Sequence, residues 1–227
     1  MKTTLVILTF NEIAGVTALF DKIPFYKVNE TFVVDGGSKD GTIEFFKSKG
    51  IPVYVQDIRG RGEAFRIGCK NATGDALVFF GPDGNEDPND IVKLLDIIKD
   101  GYDMAIASRF LPEARNDEAD STVPYRAIAN RLFTYAVKLF WGGSITDTIN
   151  GFRAVNKNSF KQLKVDASGF TIEYQMSIRA LKLKQKVKEI PTIESDRIGG
   201  ESTAKSIPTG LKVLKVLLRE IWLGRKF

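Results

Sequence analysis

The first hundred residues alternate between two hydrophobic periods. Short, mainly apolar runs occupy residues 5–8, 31–34, 53–55, 77–80 and 104–107. Between them, residues 14–22, 42–49, 64–71 and 91–99 space their apolar side chains as an amphipathic helix does. A strand covered on both faces needs no polar alternation, so the runs read as inner strands of one sheet. Helices between successive strands require right-handed crossovers. The expected fold class is therefore α/β, with a mostly parallel sheet flanked by helices.

The pattern changes past residue 110. Residues 111–123 are polar and acidic, with Glu113, Asp117, Glu118 and Asp120, and predict a surface loop. Pro124 suits the start of a helix reaching to about Trp141, which Gly142-Gly143 ends. A strand near 152–155, a helix near 173–183 and a strand at 187–190 follow. From Pro208 the spacing is amphipathic again. Leu211, Leu214, Leu218, Ile221 and Trp222 share one helical face, flanked by Lys212, Lys215 and Arg219. The expected organisation is one α/β domain over residues 1–206 and a basic helix over 207–227.

Charge sharpens that reading. The chain carries a net charge of +5, and the segment from Lys205 to the last residue holds six basic residues against one acid, Glu220. The excess sits in the last segment alone. A helix with cations beside an apolar face suits an anionic lipid interface, so a membrane surface is the expected partner. The alternative is a helix docked on its own domain. Nucleic acid is not expected, because the apolar face has no use on a phosphate backbone.

Composition mainly excludes. The 227 residues include no histidine and one cysteine, Cys69. Histidine-based triads, histidine-ligated zinc and disulfide frameworks are therefore ruled out. Any chemistry rests on carboxylates, arginine, lysine, backbone amides or a hard metal ion. No run reaches the about 20 apolar residues of a membrane span. The expected location is cytoplasmic, peripheral on the cytoplasmic face of a membrane.

The candidate chemistry gathers at the predicted strand ends. Asn11 and Glu12 follow the first strand, Asp35 the second, Asp83 the fourth and Ser108-Arg109 the fifth. Ligands of parallel sheets bind beyond those ends. Glu12 and Asp35 could accept from the ring N–H and ribose hydroxyls of a nucleotide. Asp35 and Ser38 would also suit helix capping. No Gly-x-Gly-x-x-Gly follows the first strand, which argues against a dinucleotide.

Taken in order, the motifs are Thr9-Phe10-Asn11-Glu12, Val34-Asp35-Gly36-Gly37-Ser38, Gly60-Arg61-Gly62-Glu63-Ala64 and Pro82-Asp83-Gly84-Asn85. Ser108-Arg109-Phe110, Asp147-Thr148-Ile149-Asn150-Gly151-Phe152-Arg153 and Arg197-Ile198-Gly199-Gly200-Glu201-Ser202 complete the series. Over nearly its whole length the chain resembles the family 2 inverting glycosyltransferases of the GT-A, Rossmann-like fold. It is most similar to the dolichol- or polyprenyl-phosphate mannose and glucose synthases.

That resemblance implies transfer of a hexose from a GDP-mannose or UDP-glucose type donor to a lipid-linked phosphate, with Mg²⁺ or Mn²⁺ as cofactor. It implies a donor site of Thr9, Phe10, Asn11, Glu12, Asp35, Gly62 and Asp83. Arg109, Arg126, Arg197, Ser202 and Lys205 would meet the acceptor or its phosphate. The implied catalytic residues are Asp83, Arg109 and Asp147. Relatives carry Asp-x-Asp after the fourth strand. Here Gly81 replaces the first aspartate, which leaves Asp83 and Asn85 as metal ligands, with Glu86 beside them.

In relatives with hydroxyl acceptors, an acid near Asp147 removes the acceptor's proton. A phosphate acceptor, with a second pKa near 6, needs no such base, so Asp147 could instead position Arg109 or the metal, or cap a turn. A membrane-protein partner, a hydroxyl acceptor and a non-catalytic nucleotide-sugar-binding protein are the remaining expectations.

Overall fold

A computed structural model of the chain describes residues 1–116, 125–198 and 206–227. Its strands are β1 Thr3–Thr9, β2 Glu30–Asp35, β3 Val53–Val55, β4 Ala76–Phe80, β5 Met104–Ser108, β6 Arg115–Asn116, β7 Arg153–Asn156, β8 Val187–Pro191 and β9 Ile193–Glu194. Its helices are α1 Ile13–Leu19, α2 Thr42–Ser48, α3 Arg61–Asn71, α4 Asp90–Lys99, α5 Tyr125–Trp141, α6 Lys157–Leu163, α7 Ile172–Lys182 and α8 Ser206–Leu223. Among the described residues the main sheet runs β3-β2-β1-β4-β7-β5-β8, and a small parallel pair joins β6 to β9.

The sheet is mostly parallel, as the apolar runs predict. Every residue of β1, β4 and β5 is buried. Side chains alternate across a strand, so β1 sends Leu5 and Ile7 to one face and Val6 and Leu8 to the other. On the first face they meet Val16, Phe46, Leu94 and Ile98 of α1, α2 and α4; on the second, Phe65 and Met176 of α3 and α7. Each such buried side chain contributes about 1.5–3 kcal/mol.

One strand runs against the rest. β7 lies antiparallel between β4 and β5, with Arg153 opposite both Phe79 and Ile106. Its reversal has a functional consequence. The residues that precede it, Asp147 to Phe152, are delivered to the carboxyl ends of β4 and β5, where the parallel strands present their loops.

The last helix is docked. Val213 and Leu217 pack into a cluster with Val137 of α5 and with Tyr174 and Ile178 of α7. One turn on, the fully buried Glu220 lies 2.6 Å from Lys182 and 2.9 Å from Arg179. It also accepts from Gln175 at 3.0 Å. Burial raises a carboxyl's pKa, but Arg179, Lys182 and Gln175 outweigh it and hold Glu220 below the ordinary value. The stripe read from the sequence is mostly a different one: Leu211, Leu214, Leu218 and Trp222 stay exposed, Trp222 by 84%, whereas Ile221 packs against the docked cluster. α8 therefore uses one face for its own domain and leaves the other apolar. No helix among the described residues is long and apolar enough to cross a membrane.

Candidate functional site

Beyond the carboxyl ends of β1, β2 and β4 lies a cavity of about 520 Å³. Thr9, Phe10 and Glu12 reach it from the end of β1, and Gly36 from β2. Gln56, Arg59 and Arg61 come from the segment after β3, and Gly81, Asp83 and Glu86 from the turn after β4. Phe170, Arg197 and the first turns of α8, through Thr209 and Lys212, complete the wall.

Arg197 ties this wall together. Its guanidinium lies 2.6 Å from Asp83 and 2.6 Å from Glu12, with all three side chains partly exposed. The backbone sets the position: the Ile198 N–H donates to the Asp83 carbonyl at 2.8 Å, and the Ser195 N–H to that of Asn85 at 3.2 Å. Residues 195–198 are thereby strapped along the Asp83–Asn85 turn. Two polar atoms here are buried without a partner among the described residues, Arg197 Nε and Asn85 Oδ1. An orphaned buried group costs about 1–3 kcal/mol, so an incomplete set of this kind is a candidate for ligand contact.

Electrostatics mark the same place. Burial raises the pKa of Glu12 against the pull of Arg197. Burial likewise pushes Glu86 up to about 8; Asp83 and Glu194 add to the rise and Arg61 opposes it. Arg61 is itself paired with the buried Glu173. At the rim, the Arg59 guanidinium sits 4.3 Å over the Phe10 ring, a cation–π stack.

A second cluster lies outside that lining. Arg109 grips Asp147 in a two-pronged contact of 2.7 and 3.0 Å, with Glu194 at 3.5 Å. Asp147 is fully buried and also accepts from the Asn150 N–H at 3.1 Å. Its own N–H donates to Glu189 at 2.9 Å. Burial works against both charges, but the pairing outweighs it: Asp147 is held below and Arg109 above its ordinary pKa. Arg153 differs. Fully buried and bound to the Asn150 and Glu173 carbonyls, it is lowered to about 10 by desolvation.

The structure thus brings together Thr9, Phe10, Glu12, Asp83 and Arg197 around the cavity. Asn11 borders an adjoining hollow of about 430 Å³ with Lys39 and Asp40. Asp35 is completely buried, and its carboxylate accepts from the Thr9 and Ser38 hydroxyls and from the Gly37 and Ser38 N–H groups. Gly62 faces α7's approach loop: a Cβ there would lie 2.2 Å from the Ala167 carbonyl oxygen. Asn85 lies behind Asp83, and Arg126 on the first turn of α5; neither lines the cavity. Ser202 and Lys205 fall outside the described residues.

Gln56, Arg59, Arg61, Phe170 and Lys212 line the cavity without having been singled out for it. Arg61 sat within a quoted glycine motif, and that was its signal. Lys212 had none, because only the docking of α8 brings it there.

Residues 4–164 match the family model described as Glycosyl transferase family 2. The chain belongs to that family. Among its relatives is a glycosyltransferase, AglJ, of Haloferax volcanii, 28% identical over 86% of this chain and 63% of its own length. A dolichol-phosphate mannosyltransferase of Pyrococcus furiosus is 30% identical over 90% of this chain and 60% of its own. The chain thus spans less than two thirds of those two relatives. An undecaprenyl-phosphate mannosyltransferase of Micrococcus luteus is 25% identical over 95% of this chain and 93% of its own. The fold matches a crystal structure of glucosyl-3-phosphoglycerate synthase from Mycobacterium tuberculosis in complex with Mg²⁺ and uridine diphosphate. The TM-score is 0.77 at 18% identity, over 96% of this chain and 78% of that one.

A divalent cation can be tested against the residues present. Asp83 and Glu86 on the cavity wall are hard oxygen donors, the type that Mg²⁺ and Mn²⁺ take, and the Asn85 Oδ1, off the wall in the same turn, has no partner among the described residues. Among the described residues no three acidic side chains already stand as a metal-binding group. Mg²⁺ needs few, since it keeps several waters. The donor set fits.

Proposed function

We propose that this glycosyltransferase moves a hexose from a nucleoside-diphosphate sugar to a polyprenyl or dolichyl phosphate, with inversion. The observation that carries the reading is the convergence of Glu12, Asp83, Glu86, Arg61, Arg197 and Lys212 on one cavity at the carboxyl ends of parallel strands. The mannosyltransferase names of two relatives support the acceptor class.

In this reading the Phe10–Arg59 stack faces the base, and Glu12 accepts from donor hydroxyls. Asp83 and Asn85 would hold Mg²⁺ or Mn²⁺, which when bound would supply charge neutralisation to the leaving diphosphate. Arg197 and Lys212 face the phosphates, where fixed positive charges shielded from water stabilise the negative charge that grows on the leaving diphosphate better than water would. The acceptor phosphate is already anionic at neutral pH and attacks the anomeric carbon without a base. Asp147, locked on Arg109 and kept ionised, serves to position that arginine.

A membrane surface remains part of the proposal. α5 and α8 pack side by side. α5 exposes Ile128, Leu132, Tyr135 and Leu139 at helical spacing, and α8 exposes Leu211, Leu214, Leu218 and Trp222. Two neighbouring apolar stripes with lysines on their borders suit a lipid interface carrying the acceptor.

The test is transfer. Protein supplied with Mn²⁺, dolichyl phosphate in detergent, and GDP-mannose or UDP-glucose should yield a lipid-linked hexose of inverted anomeric configuration. Transfer only to a free sugar or a protein hydroxyl, or no transfer with either donor, contradicts the reading.

A further inference from the structure

Position 81 is where Asp-x-Asp would place its first carboxylate, and the chain has glycine there. The backbone does not demand that glycine. Its φ lies outside the positive range, and a Cβ built on it would meet nothing nearer than 3.7 Å. What it would meet is the head of Glu86: Oε1 at 3.7 Å, with Cδ and Oε2 each at 3.8 Å. The Glu86 carboxylate thus stands at the edge of the space that a side chain at 81 would enter. The Gly81 N–H fixes it there, donating to Glu86 Oε2 at 2.7 Å. Gly81, Asp83 and Glu86 all border the same cavity.

We infer that Glu86, folded back over Gly81 from five residues downstream, supplies the carboxylate that position 81 lacks. It completes the cation-binding oxygens on the cavity wall together with Asp83. A carboxylate at 81 and one at 86 would crowd two like charges into one place, so the chain has use for only one of them. This inference rests on the donor-site reading above.

A glutamine at 86 keeps an acceptor for the Gly81 N–H but cannot offer an anionic oxygen to a cation, which separates a ligand from a turn staple. The measurement is Mn²⁺ binding, read from the free-ion electron paramagnetic resonance signal in the presence of UDP and of GDP. Glu86→Gln should weaken Mn²⁺ binding at least tenfold with thermal unfolding unchanged. The double variant Gly81→Asp with Glu86→Gln should regain most of that loss. Unchanged Mn²⁺ affinity in Glu86→Gln overturns the inference while leaving the donor site standing. A loss that the double variant does not recover overturns the substitution for position 81. Wild-type protein that takes up neither Mn²⁺ nor either nucleotide overturns the donor-site reading and this inference with it.

Discussion

Arg109 and Arg197 make the same chemical contact, guanidinium on carboxylate, in two opposite settings. Arg109 is 10% exposed and its partner Asp147 not at all, and Asp147 is also held by the loop that leads into β7. Arg197 is 25% exposed, bridges two partly exposed carboxylates and has no partner for its Nε among the described residues. A sealed, satisfied pair gains rigidity, and breaking it strands a buried charge. An open, incompletely satisfied one can exchange carboxylates for phosphate at modest cost. On the function proposed above, the first would hold the scaffold that aims the strand ends, and the second would meet ligand.

The contrast breaks hardest at Asp147. Asp147→Ala leaves the buried Arg109 with only the longer 3.5 Å contact to Glu194, at an expected cost of about 3–5 kcal/mol in urea unfolding. The melting temperature should fall by roughly 10 °C for a chain of this size. Arg197→Ala is the counterpart. Hexosyl transfer should drop by roughly 10²–10³-fold, the range for one transition-state donor. Stability should shift by no more than about 1 kcal/mol, as for other half-exposed pairs. Equal losses of stability in the two variants would erase the distinction between them.

Acid sharpens the comparison further. Asp147 has a folded pKa below its ordinary value, so its contribution is fully present above about pH 4. It is lost as pH falls through the lower, folded value. The stability gap between wild type and Asp147→Asn, followed by unfolding from pH 7 to pH 2, should hold steady to about pH 4 and then close. A gap that widens in acid contradicts the pairing. Asp166, half exposed and 2.5 Å from Arg219, gives the smallest effect. Asp166→Asn should cost about 0–1 kcal/mol by urea unfolding and leave transfer intact.

These clusters also show what the sequence could reveal. β1, β4 and β5 were legible because strands buried on both faces are apolar throughout. The direction of β7 was not, since its four residues read alike either way and only tertiary pairing sets it between β4 and β5. Glu12, Asp83 and Arg197 were legible as strand-end and loop charges. Asp35 looked the same in sequence, yet its carboxylate is engaged by Thr9, Gly37 and Ser38. Which way a side chain turns is a matter of local hydrogen bonds, and spacing carries no trace of it. α8 illustrates the limit from the other side. Its exposed stripe stood out by hydropathy, whereas Glu220, which anchors the docked face, resembles any surface acid until Lys182 and Arg179 are seen around it.

The account depends on Arg197, Asp83 and Glu12 forming one nucleotide-sugar pocket, and calorimetric titration addresses this most directly. Titrated with GDP-mannose and with UDP-glucose in the presence of Mn²⁺, the wild-type chain should bind one of them at a single site. Arg197→Ala should lose at least tenfold in affinity, and Asp166→Asn none. Undiminished binding by Arg197→Ala, or no binding of either donor by the wild type, would contradict it.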